Sequence, residues 1–205
     1  MGPARFFAHV AQGGHEIPME EAERVVQVYR QTHSGITYMW RKLNKGLFTA
    51  VQGNSVRVHG HVGVSPKGIH ITPGNILIRY RGLERRNIPV DAEETEFREE
   101  FFYKDARGGL VKIYGGKMLE NIIQSLAALY IRQKMNDFRR AGLRPLLQVH
   151  DEIVFLVRFM PVGDMEQIKT LVRDIMSHPP TWCPDIPLDA EVGVGLNFLE
   201  AGEKG

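Results

Sequence analysis

Pro145-Leu-Leu-Gln-Val-His-Asp-Glu-Ile-Val-Phe-Leu-Val-Arg158 sets three ionisable residues between two apolar runs rich in β-formers. The flanking runs predict two strands, so the ionisable wedge must be the turn between them. His150-Asp151-Glu152 is poor turn chemistry beside Asn-Gly, since it offers no glycine or proline; a role for the side chains explains it better than backbone geometry. Two adjacent carboxylates at a rigid hairpin tip suit a hard divalent cation, which takes oxygen ligands and keeps positions for water and phosphate. Magnesium fits this better than zinc. Side chains alternate along a strand, so Asp151 and Glu152 need not both coordinate, and Asp151 is the first choice of ligand. With one histidine present, His150 reads as a hydrogen-bond donor to a phosphate or sugar rather than as a ligand.

Upstream of this hairpin, Met118, Leu119, Ile122, Ile123, Leu126, Leu129 and Tyr130 predict a long, largely buried helix from about Gly116 to Arg140. Lys117, Glu120, Asn121 and Gln124 form a narrow polar stripe along it. Uncompensated amides on a core helix cost about 1–3 kcal/mol each, so a polar ligand along the stripe competes with plain solvation. Gly115-Gly116-Lys117 is not a phosphate loop, because Val111 stands at the leading glycine and Met118 at the Ser or Thr. Downstream, Asp164 with Gln167 makes a capping box for a helix carrying Met165, Ile168, Leu171, Val172 and Ile175. Leu188, Ala190, Val192 and Val194 alternate with Asp189, Glu191 and Gly193 as in a last, half-buried strand.

At the other end, Pro3 to Gln12 predicts a short helix closed by Gly13-Gly14, with Phe6 and Val10 inward. A second helix from Pro18 carries Ala22, Val25, Val26 and Tyr29. After an interruption at Gly35, a third presents Ile36, Met39, Trp40 and Leu43. Between Gly53 and Lys112 the helical period gives way to short β runs punctuated by glycine and proline, which predicts hairpins. There Arg79, Arg81, Arg85 and Arg86 precede an acidic block, Asp91, Glu93, Glu94, Glu96, Glu99 and Glu100, the pattern of a solvated loop tip. His59 and His61 fall on one side of an expected strand and could share a metal, but no third ligand accompanies them. The expected organisation is therefore residues 1–52 helical, 53–113 hairpin-rich, and 114–205 with the long helix and ionisable hairpin, an α+β class.

The 205 residues, 43% hydrophobic and 24% charged, describe a globular chain able to bury a core, which excludes disorder and collagen-like repeats. One cysteine, Cys183, excludes an intramolecular disulfide and a thiolate-rich zinc site and reads as a semi-buried thiol. A net charge of +2 leaves the partner open. No stretch is long enough for a membrane span, and Met1-Gly2-Pro3 opens no leader, so the cytoplasm is the expected compartment.

Gln148-Val149-His150-Asp151-Glu152-Ile153-Val154 resembles the catalytic hairpin of the family A DNA polymerases, the bacterial polymerase I and phage type. Other segments match in order. Tyr29-Arg30-Gln31-Thr32-His33-Ser34-Gly35-Ile36 with Trp40 is similar to the helix pair after that family's nucleotide-binding helix. Tyr114-Gly115-Gly116-Lys117 through Glu120-Asn121-Ile122-Ile123-Gln124 is similar to the phage-type minor-groove helix. Ile186-Pro187-Leu188 through Glu191-Val192-Gly193-Val194-Gly195-Leu196-Asn197 is similar to its final strand and closing loop. The hairpin-rich middle matches poorly.

The resemblance implies a partial right-hand polymerase fold: antiparallel palm strands packed on helices, with the trailing part of the fingers. It makes Asp151 a magnesium ligand, Glu152 its acidic neighbour, His150 a contact to the primer terminus and Gln124 a minor-groove reader. Two positions depart from the pattern. Glu120, with Asn121 beside it, stands where many members have asparagine, and Gly116, next to Lys117, stands where bacterial members have arginine. Two magnesium ions in a two-metal transfer need carboxylates from more than one element. The resemblance accordingly implies an amino-terminal polymerase half as partner, supplying the other metal-binding aspartate and the nucleotide-binding helix. Primer-template DNA and deoxynucleoside triphosphates would be the other partners, and the isolated chain is expected to be inactive. The alternatives are a non-catalytic DNA-binding remnant and an unrelated magnesium phosphohydrolase that shares only the carboxylate hairpin.

Overall fold

The computed structural model describes residues 2–90 and 96–202. The architecture is mixed α+β, with helices and three antiparallel sheets, and the chain divides into two compact units, Met1–Ile122 and Ile123–Gly205. No helix among the described residues is long and apolar enough to cross a membrane.

The first unit opens with α1 (Pro3–Gln12), α2 (Met19–Thr32) and α3 (Ser34–Val51). The break between α2 and α3 falls at His33 (φ −103°, ψ 49°), and Gly35 lies inside α3 rather than interrupting the pair. Only Ala22 and Val26 of α2 are buried. Val28 and Tyr29 stay 51% and 46% exposed, beside an open hollow of about 390 Å³. On α3 the buried face runs further than the sequence pattern suggests, through Leu43, Gly46, Leu47 and Ala50.

Four short strands follow as a meander: β1 (Val56–His59), β2 (Val62–Ser65), β3 (Gly68–Ile71) and β4 (Ile76–Arg79). Their alternation puts Val58, Val62, Val64, Ile69 and Ile71 in the core. Val64 lies against the bare backbone of Gly46, where an added Cβ would come within 3.1 Å of it. His59 ends β1 and His61 lies beyond it, off the strand. Among the described residues no group of three potential ligands accompanies them.

A second sheet joins β5 (Arg81–Pro89), β6 (Phe97–Lys104) and β7 (Leu110–Ile113). Of the expected acidic loop tip, Asp91, Glu93 and Glu94 lie outside the described residues. Glu99 and Glu100 do not belong to a loop at all but to β6. Glu99 pairs with Arg85 at 2.8 Å. Glu100, 7% exposed, accepts from Arg98 at 2.5 Å and from Lys112. Strand pairing supplies the counter-charges that the linear sequence separates. The Lys112 hydrogen bond, then that of Arg98, holds the Glu100 carboxyl below the usual carboxylate range against the opposing effect of burial.

A depressed folded pKa gives stability that is present above the unfolded value and lost as pH falls through the folded one. Wild type should therefore melt at a higher temperature than Glu100→Gln near neutral pH, and the gap should close as pH drops below 4.5 and through the lower folded value. Thermal melts of both proteins across that range check it; a gap that persists undiminished in acid would refute it.

α4 (Gly115–Arg140) begins in the first unit and continues into the second. Its interior is narrower than the sequence pattern predicts: Met118, Ile122, Ile131 and Phe138 are buried, but Ile123 is 57% exposed. In the second unit β8 (Pro145–Val149) and β9 (Glu152–Phe155) form a hairpin, followed by α5 (Val162–Ser177) and the short α6 (Phe198–Gly202). The Asp164–Gln167 capping box does not form, because Pro161 takes the N-cap with its fixed φ and α5 starts earlier. No strand forms over residues 188–194. The alternation survives as half-buried Leu188, Ala190 and Val192, but the backbone at Gly193 lies against α6, where a Cβ would sit 1.7 Å from the Ala201 carbonyl oxygen. Cys183 is a half-buried free thiol.

Candidate functional site

The hairpin forms as the sequence pattern demands, with a tighter turn. Val149 pairs with Glu152, so His150 and Asp151 alone make the connection and Glu152 is the first residue of β9. His150 takes φ 52°, a conformation that costs a non-glycine residue about 1–2 kcal/mol, although histidine adopts it more often than most. Gln148 Nε2 donates to the His150 carbonyl at 3.0 Å and braces the turn. His150, Asp151 and Glu152 are all exposed, whereas Ile153, Val154 and Phe155 are half-buried beneath them. From below, the Phe155 ring meets Phe138 of α4 edge-to-face, centroids 4.7 Å apart.

His150→Gly separates turn geometry from side-chain function. Relief of the positive φ, less the added chain entropy of glycine, should leave the hairpin unchanged or up to about 1 kcal/mol more stable. If the imidazole touches a phosphate-bearing ligand, binding of that ligand falls at the same time. Denaturant melts beside ligand-binding assays read both; a variant that loses stability would show the histidine to be a structural turn residue.

No three His, Cys, Asp or Glu side chains among the described residues converge as a metal site, His150, Asp151 and Glu152 included. What the hairpin tip shows is two exposed carboxylates, Asp151 and Glu152, on adjacent residues.

The helical stripe divides by function. Lys117 Nζ bonds Glu120 Oε1 at 2.9 Å on the exposed face, and that bond is the main reason its ammonium is held above the ordinary lysine range. Asn121 turns inward and donates to the Tyr80 hydroxyl at 2.9 Å. Tyr80 is 2% exposed, and burial pushes its phenol up to about 12 despite that hydrogen bond. Gln124 is exposed further along the helix. The stripe thus combines an inward tether with three outward polar groups.

Two residues escaped the sequence reading. Asn44 Oδ1 accepts the Gly115 N–H at 2.7 Å, and a Cβ on Gly115 would meet the Trp40 carbonyl oxygen at 2.0 Å. The Gly-Gly pair therefore lets α4 start hard against α3. Lys134, 4% exposed, donates to the His178 carbonyl at 2.6 Å and lies over the Tyr130 ring; burial lowers its pKa. Its spacing from Ile131 and Phe138 on the apolar face was the available signal.

Geometry defines an α+β chain that displays carboxylates on a braced hairpin, and comparison with known proteins gives that class relatives. The chain is 27% identical over 192 residues, 90% of its length, to a DNA polymerase of Bacillus phage SP02. It is 45% identical over 60 residues to the thermostable DNA polymerase I of Thermus filiformis and 39% identical over 62 residues to that of Thermus thermophilus. The alignments span 28% of the phage protein and 7% of each Thermus protein. No family model matches the chain, and no solved structure matches it significantly. The chain is a distant homologue of family A DNA polymerases, phage and thermostable polymerase I enzymes among them.

Proposed function

We propose that the chain is the carboxy-terminal part of a family A DNA-directed DNA polymerase, acting in DNA replication within an assembled enzyme. In that reading its helices and hairpin belong to a right-hand palm and the trailing fingers, and primer-template DNA and deoxynucleoside triphosphates are its partners. The observation that carries the reading is the exposed carboxylate hairpin in a chain homologous over most of its length to a phage DNA polymerase.

In the reaction a primer 3′ oxygen attacks the α-phosphorus of the incoming triphosphate and pyrophosphate leaves. Asp151 would hold magnesium, with Glu152 adding negative charge beside it. Magnesium, when bound, supplies the Lewis acidity that stabilises charge on the transferring group. His150 would donate to the primer terminus. Gln124 would read the minor groove, with Lys117 and Glu120 on the same exposed face and Asn121 fixing the helix from within. The opposing aspartate and the nucleotide-binding helix would come from an amino-terminal polymerase half outside these 205 residues.

Primer extension by the chain mixed with such an amino-terminal half tests this. Synthesis by the pair and by neither alone is the expected result; no synthesis from two folded components would refute it. Duplex binding without synthesis would favour the non-catalytic remnant. A magnesium-dependent nuclease activity of the chain alone, abolished by Asp151→Ala, would favour the phosphohydrolase.

A further inference from the structure

The junction between the two sheets of the first unit collects cations that the polymerase reading leaves unused. Only Tyr80 separates β4 from β5. Its ring is buried, while its neighbours Arg79, at the end of one sheet, and Arg81, at the start of the other, are both exposed. Arg81 stands directly opposite Lys104 in the antiparallel register. Gly82 (φ 60°) lies beside that lysine, whose stem a Cβ there would touch at an ordinary contact distance of 3.5 Å. Lys67, also exposed, reaches the same corner, where its carbonyl accepts the Tyr80 N–H at 3.1 Å.

Like charges directly opposite one another destabilise a strand pair. Elsewhere on this sheet each such charge is neutralised: Arg85 by Glu99, Arg86 by Glu84, Arg98 and Lys112 by Glu100. Among the described residues no carboxylate pairs with Lys67, Arg79, Arg81 or Lys104. The adjacent Asp105 carboxylate instead accepts the N–H groups of Arg107 and Gly109, at 2.9 and 2.8 Å.

We propose that Lys67, Arg79, Arg81 and Lys104, none of them residues of the hairpin or the helical stripe, form a clamp for the phosphate backbone of duplex DNA. The four lie in the open at strand ends, where a continuous polyanion can engage them together and where like-charge repulsion is relieved by phosphate. The polymerase reading identifies the polyanion as duplex DNA; the clamp itself rests on the unpaired cations.

The test is fluorescence anisotropy of a labelled duplex titrated with the full chain at several salt concentrations. Arg81→Gln/Lys104→Gln should melt at or above the wild-type temperature. Its binding should weaken about tenfold near physiological salt, with a log–log salt slope shallower by about 2. Arg81→Lys/Lys104→Arg should stay near wild type, and so should Arg139→Gln/Arg140→Gln at the far end of α4. An unchanged slope in the first variant overturns the clamp, as does an equal loss in the α4 variant. Displacement of the duplex by deoxynucleoside triphosphate alone would reassign the cluster to free nucleotide and overturn it too. The two readings fail separately: an unchanged slope with primer extension intact removes only the clamp, whereas the expected slope change without any extension by the complemented pair removes only the polymerase.

Discussion

Asp151→Asn should lower nucleotide addition by the proposed polymerase assembly about a thousandfold, on the scale of losing a group that stabilises transition-state charge, and should leave folding and duplex binding as in wild type. The reason lies in where the residue sits. Asp151 is exposed on a two-residue turn, so its carboxylate supports no core packing, and asparagine is nearly the same size and well suited to turns. A structural role would show as a lower melting temperature, and a DNA-holding role as weaker binding. Neither should move. Glu152→Gln, one residue along at the start of β9, should cost less, because the ordering of ligands makes Glu152 the neighbour. Primer extension measured beside duplex anisotropy and thermal melts distinguishes these outcomes. Asp151→Asn with activity within a few fold of wild type would remove the hairpin from the chemistry.

The hairpin itself was legible in the sequence because two apolar runs and an ionisable wedge leave only one arrangement, and α1 to α4 were legible because their apolar residues recur at helical spacing. Three features were not, each for a physical reason. The ion pairs of Glu99 and Glu100 join residues far apart in the chain, so a run of acids read as solvated when strand register in fact supplies its counter-charges. The alternation at Leu188 to Val192 persists in the burial without a partner strand, since period two records which side is covered and not what pairs. The start of α5 was misplaced because a capping box is a weaker constraint than the proline at the N-cap. Within the site, the residue types and the stripe were readable, but the inward turn of Asn121 was not: it depends on Tyr80, 41 residues away.

Phe138→Ala should carry the second large effect and shows how the hairpin is held. Phe138 is fully buried and its ring meets Phe155 of β9 edge-to-face. It also lies in the last turn of the long helix, its carbonyl accepting the Leu143 N–H at 2.9 Å as the chain turns toward β8. Truncating a buried phenylalanine costs about 3–5 kcal/mol, a large part of the roughly 5–15 kcal/mol that stabilises a whole small domain. The hairpin has little else in reserve: Leu146 and Leu147 on β8 are exposed, and two strands alone are marginal in water. Amide hydrogens of Ile153 and Val154 should therefore exchange about a hundredfold faster or more, at tenfold per 1.4 kcal/mol. Those of β2 and β3, built on a separate core, should stay near their wild-type rates. Phe138→Leu, which refills much of the volume, should recover most of the protection. On the proposed polymerase reading, primer extension should follow the hairpin rather than the sheets, because carboxylates on a loosened turn would no longer meet a reacting phosphate at a fixed distance. Unchanged exchange at Ile153 and Val154 in Phe138→Ala would mean that the turn is braced from within, by Gln148 alone, and that α4 contributes nothing to its position.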